Sequence, residues 1–367
     1  MGNSPNSFRT GIGPTPIDVN VSQIPLWGRA WKLTVKTQSA DQSTPSQEIL
    51  TQDSWDPEAL RMTFEVLQAA NSSPYWYALV KIFNCNKVEL QNLLFNAVWL
   101  TLEAGYQTGP SKYSQIWDGP VMQVIFDREN VVDLTVTFNC ISTLAFLEEQ
   151  FIGVSKGSFS TQYQFISDYI QNNLGGNPSD QISEYAAGLL KAKQYPRGKT
   201  YFGSGSKYVE QIAQDNFLST WHKGGQPHIS ELSQTAVPDP EITYGPPYPP
   251  GANVPANQDP NITRSIIGVP RQSVFGSIFT VLLDPRLTVK VPPMAVKLDN
   301  TLITQLKTQP PNLPAILDNS GVFVVGQVRH YGDTRGTPWY SEVNGWAPAW
   351  AYKLLGTGAA SAYAIQK

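Results

Sequence analysis

Residues 322–343, VFVVGQVRHYGDTRGTPWYSEV, carry the pattern that decides the fold. β-Branched and aromatic residues stand on both sides of a polar segment that contains Gly, Asp, Thr and Pro. Such runs, bounded by turn residues, are typical of β-strands. We therefore expect strands from Val322 to Val328 and from Trp339 to Val343, joined by a charged turn.

The same pattern recurs over two long stretches, residues 29–145 and 262–348. In the first stretch, strands are predicted at Trp31–Val35, Met62–Val66, Trp99–Leu102, Val121–Phe126 and Leu134–Phe138. In the second, further strands are predicted at Phe279–Leu283, Leu287–Val291 and Val296–Leu298. Several short strands separated by turns are the pattern of a sandwich or barrel. The sequence predicts a mainly β protein with two related β-barrel domains flanking a mixed α/β middle region.

That middle region, residues 146–237, changes to helical periodicity. Phe165, Ile166, Tyr169 and Ile170 fit one helix face, and a second helix and a third at about 206–218 follow. A hairpin is predicted from Trp221 to Ile229, turning at Gly224-Gly225. The sequence therefore predicts an α+β domain inserted between the barrels.

The remaining segments are poor in core-forming patterns. Residues 1–28 are predicted to be an extended arm, and 349–367 a tail that is mobile or bound to a partner. Residues 238–261 form a Pro-rich loop with eight prolines between 238 and 260, for which we expect a surface-exposed connector that is dispensable for folding. Proline cannot donate to a sheet ladder, so neither a helix nor a central strand is expected there.

The two β regions also share one order of predicted elements. In each, a strand and a loop are followed by a strand that contains a Gly-x-Val step, and then by a turn and a further strand. In the first region the Gly-x-Val step is Gly119-Pro120-Val121, and in the second it is Gly326-Gln327-Val328. Many β proteins share such a rhythm, but here it suggests two copies of one barrel. It predicts that Gly119 and Gly326 occupy equivalent positions.

Composition narrows the functional classes. Charged residues are 15% of the chain, the net charge is −3, and aromatic residues reach 11%. This balance gives no electrostatic footprint for nucleic acid or an anionic membrane. It fits either a surface buried against partner subunits or a weakly charged all-β domain, and composition does not separate the two. The N-terminal residues lack the apolar segment of a secretory signal, and no run of 18 apolar residues predicts a membrane span.

Catalytic and metal-binding patterns are missing from the sequence. Cys85 and Cys140 each follow an apolar run and are predicted to be buried free thiols, with a disulfide as the lesser alternative. The two Cys and three His lack metal-ligand spacing, and no cofactor motif occurs. His330 could act as a general base, but a polar residue at a strand end is the preferred interpretation, and the pair Glu148-Glu149 is assigned to a solvated helix start.

A carbohydrate-binding protein is the alternative from another class. Aromatic platforms that stack on sugars need exposed, coplanar rings. Four tryptophans lie in strand-like runs where packing is the expected role, namely Trp99, Trp117, Trp221 and Trp339.

Three strings resemble the baseplate hub family of contractile-tailed phages, which includes the hub of phage Mu. The first is VWLTLEAGY (98–106) with IWDGPV (116–121) and DRENVVDLT (127–135). The second is IIGVPRQ (266–272) with VLLDPRL (281–287), and the third is GQVRHYGDTRGTPWY (326–340). The third is the most specific, because the family typically has V-R-H-Y-G-D-T-R-G before a W-Y strand. Residues 139–142 depart from the family's D-G-D-like ending of the first barrel.

The resemblance implies a structural role for the motif residues and no catalytic, cofactor-binding or metal-binding residue. The motif residues are Glu103, Gly105, Tyr106, Trp117, Asp118, Gly119, Arg128, Gly268, Pro270, Pro285, Gly326, Arg329, His330, Tyr331, Gly332, Asp333, Thr334, Arg335, Gly336, Trp339 and Tyr340. In the turn, Asp333 and Thr334 are expected to bond the local backbone, and Gly332 and Gly336 to take positive φ.

The resemblance also implies a place in the virion, at the tail baseplate, after assembly in the host cytoplasm. A hub of this family is a homotrimeric ring that adapts the hexameric tail tube to the trimeric central spike and lets DNA pass. The implied partners are further copies of the chain, the tail tube or tube-initiator protein, the central spike protein, the tape-measure protein and baseplate wedge proteins.

Overall fold

A computed structural model describes eleven segments of the chain. They are residues 28–38, 45–70, 76–108, 112–142, 151–223, 226–231, 239–247, 262–273, 276–298, 304–305 and 321–346. The protein is mainly β with a helical part in the middle region, as the sequence predicted. The predicted extended arm at 1–27, the pair Glu148-Glu149, the turn Gly224-Gly225, residues 248–261 and the tail 349–367 lie outside the described residues.

The described residues of the first β region contain seven strands and one helix. They are β1 (Arg29–Gln38), β2 (Pro45–Asp53), β3 (Met62–Ala69), β4 (Tyr77–Phe83), α1 (Lys87–Asn96), β5 (Trp99–Tyr106), β6 (Ser114–Arg128) and β7 (Leu134–Ile141). Inward positions of β3 are buried at every second residue, as the alternating sequence requires. The sequence analysis did not predict helix α1. The side chain of Asn86 caps this helix by accepting hydrogen bonds from the N–H groups of Val88 and Glu89.

The described residues of the middle region contain four strands, which form two separate two-stranded sheets, and four helices. They are β8 (Phe151–Lys156), α2 (Gln162–Asp168), which runs on into a π-helical turn (Tyr169–Asn173), α3 (Pro178–Gln181), α4 (Glu184–Ala192), β9 (Lys199–Ser204), α5 (Gly205–Asp215), β10 (Ser219–Lys223) and β11 (Gln226–Ser230). Thr161 and Gln164 form a capping box that starts α2. The helix face with Phe165 and Ile170 is buried, which confirms the helical periodicity.

Eight strands lie in the part of the second β region, together with the segment before it, that the structure describes. They are β12 (Ile242–Gly245), β13 (Ile262–Arg264), β14 (Ile266–Ser273), β15 (Gly276–Leu282), β16 (Ala295–Leu298), β17 (Thr304–Gln305), β18 (Val322–Asp333) and β19 (Trp339–Trp346). Strand β18 continues to Asp333, through part of the predicted turn, because β3 pairs with it as far as that residue.

Among the described residues, the strands of both regions join in one sheet of fifteen strands. Its main path is β17-β14-β15-β19-β18-β3-β4-β7-β6-β5-β1-β2, with β16, β12 and β13 branching from β18. The first region thus meets the second where β3 and β18 pair antiparallel, from Thr63 opposite Asp333 to Ala69 opposite Gln327. We call this pairing the seam.

Four strands of each region have the same order and the same direction. The order β3-β4-β7-β6 in the first region corresponds to β14-β15-β19-β18 in the second, and all neighbours are antiparallel. Strands β4 and β15 are both seven residues long, and each pairs with its central neighbour without a register shift. We call each set a four-strand unit.

A β-bulge makes the correspondence specific. One extra residue interrupts the register of β6 with β7 at Met122, and one interrupts β18 with β19 at Gly326. The residue after each bulge is a glutamine, and its partner across the ladder is Asn139 or Asn344. Bulges re-aim a strand at a fixed place. The shared bulge is therefore stronger evidence for a repeated four-strand unit than the rhythm of the sequence.

The alignment corrects one sequence expectation. Aligned on the bulge, Gly326 corresponds to Met122, and Gly119 corresponds to Phe323. The two glycines lie on corresponding strands but are not equivalent, so that prediction was wrong. Gly326 leaves room for the ring of Trp346, since a Cβ at position 326 would lie 2.0 Å from Trp346 Nε1.

Two other expectations were also wrong. Strand β12 lies inside the Pro-rich segment and pairs in parallel with both β13 and β16, so this part of the segment is a central strand. The four residues of β12 contain no proline, which leaves every N–H available to the sheet. Residues 287–291 do not form the predicted strand, although Leu287 and Val289 are buried. Their backbone groups hydrogen-bond to side chains instead of to a neighbouring strand. The side chain of Gln68 accepts a bond from the N–H of Val289, and His330 donates one to the carbonyl of Leu287.

Candidate functional site

The third motif lies at the seam and binds the two β regions to each other. Asp333, at the end of β18, accepts two bonds from Arg61 of the first region, at 3.2 Å from Nε and 2.6 Å from a terminal nitrogen. Its Oδ1 also accepts the N–H of Arg335 at 2.9 Å. Burial opposes ionisation of Asp333, but these bonds outweigh it and hold its pKa below the usual value. The expected local backbone bond of Asp333 is confirmed.

Other groups of the turn bond the first region's backbone rather than their own. Thr334 exchanges two bonds with Met62, its hydroxyl accepting from the Met62 N–H and its own N–H donating to the Met62 carbonyl, each at 2.9 Å. Arg335 donates to the carbonyl of Ala59 at 2.9 Å. The expectation of a local bond for Thr334 was therefore wrong, since its partner lies on the neighbouring strand of the seam.

Arg29, at the start of β1, holds the other side of the turn. Its guanidinium donates to the carbonyls of Asp333, Gly336 and Thr337 at 3.1, 2.5 and 2.8 Å. It also lies 5.5 Å from the ring centroid of Trp339, whose Nε1 donates to the carbonyl of Gly105 at 3.0 Å. The first and third motifs are thus brought together in space.

Charged side chains continue the contact along the seam. Arg329 Nε lies 3.0 Å from Glu65 Oε1, and the hydroxyl of Tyr77 donates to the same oxygen at 2.9 Å. The bond from Arg329 is the main cause of a lowered pKa of Glu65. Because these groups are partly exposed, solvent weakens the ion pair between Arg329 and Glu65. The pair therefore contributes more to the register of β3 with β18 than to the stability of the protein.

Gly332 and Gly336 are required for space and not for positive φ. Neither is among the residues with positive φ in the described chain, so that expectation was wrong. A Cβ at position 332 would lie 2.6 Å from both Phe64 Cζ and Trp339 Cε3, and one at position 336 would lie 2.3 Å from Asp333 Oδ2. Glycine at these two positions lets the rings and the carboxylate approach the backbone.

His330 is in the middle of β18 and is fully buried, so the expectation of a strand-end residue was wrong. Its Nε2 donates to the carbonyl of Leu287 at 3.1 Å, which leaves Nδ1 to accept from the Ser341 hydroxyl at 2.7 Å. Burial lowers the pKa of His330 to about 4, so the ring is neutral. Ser341 Oγ in turn accepts the N–H of Asp284 at 3.0 Å, and both Ser341 and Asp284 are fully buried. A serine and a histidine do meet here, and both side chains lie in the protein interior.

The remaining motif residues lie away from the turn. Asp118 accepts bonds from Trp99 Nε1 at 2.9 Å and Thr101 Oγ1 at 2.6 Å, on the face of the β5–β6 ladder. The buried ring of Trp117 packs over Gly119. Gly268, with φ of +72°, and Pro270 lie where the register of β14 with β15 shifts.

Six further motif residues are placed as follows. Glu103 pairs with Gln115 across the β5–β6 ladder, Tyr106 is buried at the end of β5, Arg128 is exposed at the end of β6, and Pro285 follows the buried Asp284. The rings of Tyr331 and Tyr340 pack edge to face with centroids 5.7 Å apart.

Sequence reasoning missed the first-region partners of the motif. Arg29, Arg61 and Glu65 hold the turn and the seam. Their hydrogen-bond partners in the third motif lie 264 to 308 positions further along the chain, and no pattern in the sequence links residues so far apart. Gln68 was also missed; it accepts from Thr288 and from the N–H of Val289 and donates to the carbonyl of Ile116.

Metal-binding groups are not assembled in the described part of the chain. No set of three or more His, Cys, Asp or Glu side chains there could hold a metal ion. Cys85 and Cys140 are free thiols, and burial raises the pKa of Cys85 to about 11. No helix in the described segments is long and apolar enough to cross a membrane. Trp117, Trp221 and Trp339 are buried, so they cannot stack on a sugar.

Comparisons with known proteins are distant. No protein-family model matches the chain, and no curated protein matches it significantly. Among solved structures, the tail protein from Neisseria meningitidis MC58 has a TM-score of 0.47 and 10% identity, covering 88% of this chain and 97% of its own. The 43 kDa tail protein of prophage MuSo2 from Shewanella oneidensis has a TM-score of 0.46 and 7% identity, covering 87% and 99%. A type VI secretion system component of E. coli has a TM-score of 0.44 and 9% identity, covering 78% and 73%. Similarities of this size carry no argument about function.

Proposed function

We propose that this chain is a structural hub of a phage contractile tail, without enzymatic activity. Three copies form a ring in the virion baseplate that joins the hexameric tail tube to the trimeric central spike, with tape-measure and wedge proteins as further neighbours. DNA passes through the ring without sequence-specific binding. The three strings that resemble the hub family support this role, and the third of them lies at the seam between the β regions.

The repeat of the four-strand unit within one chain is the observation that carries the proposal. A piece that joins six subunits to three has to present six similar surfaces from three chains. Two units fused in one chain meet that need, because three copies then present six units. The seam supports the same role, since Arg29, Arg61 and the turn hold the two units in a fixed relation.

Light scattering of the purified chain, with electron microscopy of the particle, tests the proposal. We expect three times the mass of one chain, and density for the chain between tube and spike. A ring of six chains, or a tail in which the chain lies elsewhere, would overturn it. For the non-enzymatic part, we expect no release of reducing sugar from host peptidoglycan; hydrolysis that is lost in H330Q or E149Q would contradict it.

A further inference from the structure

We propose that neighbouring copies join by repeating the seam between chains: the outer edge of β6 pairs with β14 of the next copy and displaces β17. The inference rests on the ring proposed above and names the strands that close it. Its basis is the correspondence of the two four-strand units, in which β6 matches β18 and β14 matches β3.

The outer edge of β6 is open along its second half. Strand β5 pairs with β6 only up to Pro120, while β7 covers the other edge from Val121 to Arg128. From Gln123 to Arg128, the outer edge therefore has no strand partner among the described residues. The corresponding edge of β18, from residue 327 onward, is the one that pairs with β3.

A side chain on the open half of β6 is more exposed than the corresponding side chain of β18, as expected if no strand covers that edge of β6. Phe126 of β6 is 44% exposed, whereas His330 at the same position of β18 is fully buried. Met122 and Ile125 are 52% and 40% exposed on the same half-strand. An open strand edge that carries apolar side chains invites pairing with another chain, and natural proteins cover or block such edges.

Strand β14 offers the matching edge. Within the described residues, its side away from β15 is paired with β17 alone, two residues long and parallel, at Arg271 and Gln272. Parallel ladders are slightly less stable per residue than antiparallel ones, and two residues give few bonds. An antiparallel β6 would replace β17 with a longer ladder, so β17 serves as a cover for the edge in the single chain.

The register of the contact follows from the seam. In the seam Tyr331 lies opposite Glu65. Counted from the bulge, Asp127 of β6 corresponds to Tyr331 of β18. Arg271 of β14 pairs with Ile278, and Glu65 of β3 pairs with Leu79. Ile278 and Leu79 occupy the same position in the two units, so Arg271 corresponds to Glu65. The transferred register sets Asp127 of one copy opposite Arg271 of the next. Both side chains are exposed, and they carry opposite charges, which favours this pairing.

Disulfide trapping tests the contact in the full-length chain. Opposed residues of antiparallel strands have Cα atoms about 4.5–5.5 Å apart, which a disulfide can span. We would combine D127C with R271C in a C85S background and keep buried Cys140, whose pKa is raised by burial. The matched control is Y331C with E65C at the corresponding pair of the seam, which should close within one chain. A register control, V132C with R271C, uses an exposed position beyond the end of β6.

Mild oxidation should give discrete dimers and trimers of D127C/R271C on a non-reducing gel, no such ladder for V132C/R271C, and single chains for Y331C/E65C. A second outcome is that light scattering shows an oligomer, but D127C/R271C stays a single chain under conditions in which Y331C/E65C forms its disulfide. The proposed pairing of β6 with β14 would then be wrong, while the ring itself would still hold. If the chain is monomeric at every concentration and no cross-link forms, the ring fails and this contact fails with it.

The displacement of β17 has its own readout. The substitution T304P removes a backbone N–H from β17 and should free the edge of β14. Cross-linking of D127C/R271C should then become faster, by several-fold in initial rate. Slower cross-linking would show that β17 belongs to the closed contact and would overturn the displacement.

Discussion

At the residue scale, Gly332 shows how tightly the seam is packed. The position lies between the edge-to-face rings of Phe64 and Trp339, whose centroids are 5.2 Å apart. Both rings are buried, so neither can move away without disturbing the core of both β regions. A single methyl group at this position therefore has to strain the contact.

We expect G332A to lower the free energy of unfolding by about 1–3 kcal/mol, the usual cost of overpacking a core. Its matched control is G188A in α4, where a Cβ meets no atom within 4 Å. That change should be neutral or stabilising by about 0.5–1 kcal/mol, because alanine is the better helix former. Urea denaturation measures both, and equal effects of the two variants would refute the account of Gly332.

His330 makes stability depend on pH. Burial lowers its pKa to about 4, whereas an unfolded chain has a histidine pKa of about 6.5. Between these values the unfolded state binds more protons, so stability falls as pH falls through this window. The difference amounts to about 3 kcal/mol. His228, whose pKa burial also lowers to about 4, adds a similar fall.

The variant H330Q should therefore show a smaller loss of unfolding free energy between pH 7 and pH 4 than the wild type, by about 3 kcal/mol. The comparison uses the change with pH, so a constant loss of stability in the variant does not affect it. The remaining slope reports His228 and other groups. A wild-type pH dependence in H330Q would show that His330 is protonated in the folded protein.

At the element scale, β12 is where local sequence and final structure differ most. The segment around it is dense in proline, which predicts a loop, yet Ile242 to Gly245 form a strand between two neighbours. Tyr244 is fully buried, and its hydroxyl donates to Asp284 at 2.6 Å. Asp284 also binds Arg286 and is fully buried, so β12 completes a polar cluster in the core of the second region.

The variant Y244F should destabilise the protein by about 1–3 kcal/mol, because it leaves a buried carboxylate with one donor fewer. The variant Y185F removes a hydroxyl from a side chain that is 46% exposed and should change stability by no more than about 0.5 kcal/mol. Thermal or urea unfolding compares the two. Equal stability of Y244F and wild type would mean that Asp284 is satisfied without Tyr244.

Elements with clear periodicity were predictable from the sequence. The alternating strands at Met62 and Leu134 and the helix faces at Phe165 are in place, because side-chain burial follows the period of the backbone. Strands β8 and β9 were missed. They form a two-stranded sheet, and helices α2 to α4 lie between the two strands in the sequence. Phe151 and Ile152 of β8 are adjacent apolar residues, and only Ile152 is buried, so the sequence does not alternate in the way that marks a half-buried strand.

At the scale of the whole molecule, the buried apolar side chains of the described residues form two hydrophobic cores. One contains side chains of both β regions and Trp221 of the β10–β11 hairpin, and the other contains the helices of the middle region with β8, β9 and β11. The hairpin thus ties the middle region to the sheet, where Ser219 also donates to the carbonyl of Ala70 at 2.9 Å.

The sequence by itself determined the fold class, the place of the helical region and the motif strings, because these depend on local periodicity and on short runs of residues. The tertiary structure alone decided what the motif does: Asp333 meets Arg61, and Trp339 meets Gly105, across more than 200 residues. It also decided that β12 is a strand and that Gly332 is needed for space. Backbone partners and packed neighbours come from distant parts of the chain, and no local pattern records which of them will meet.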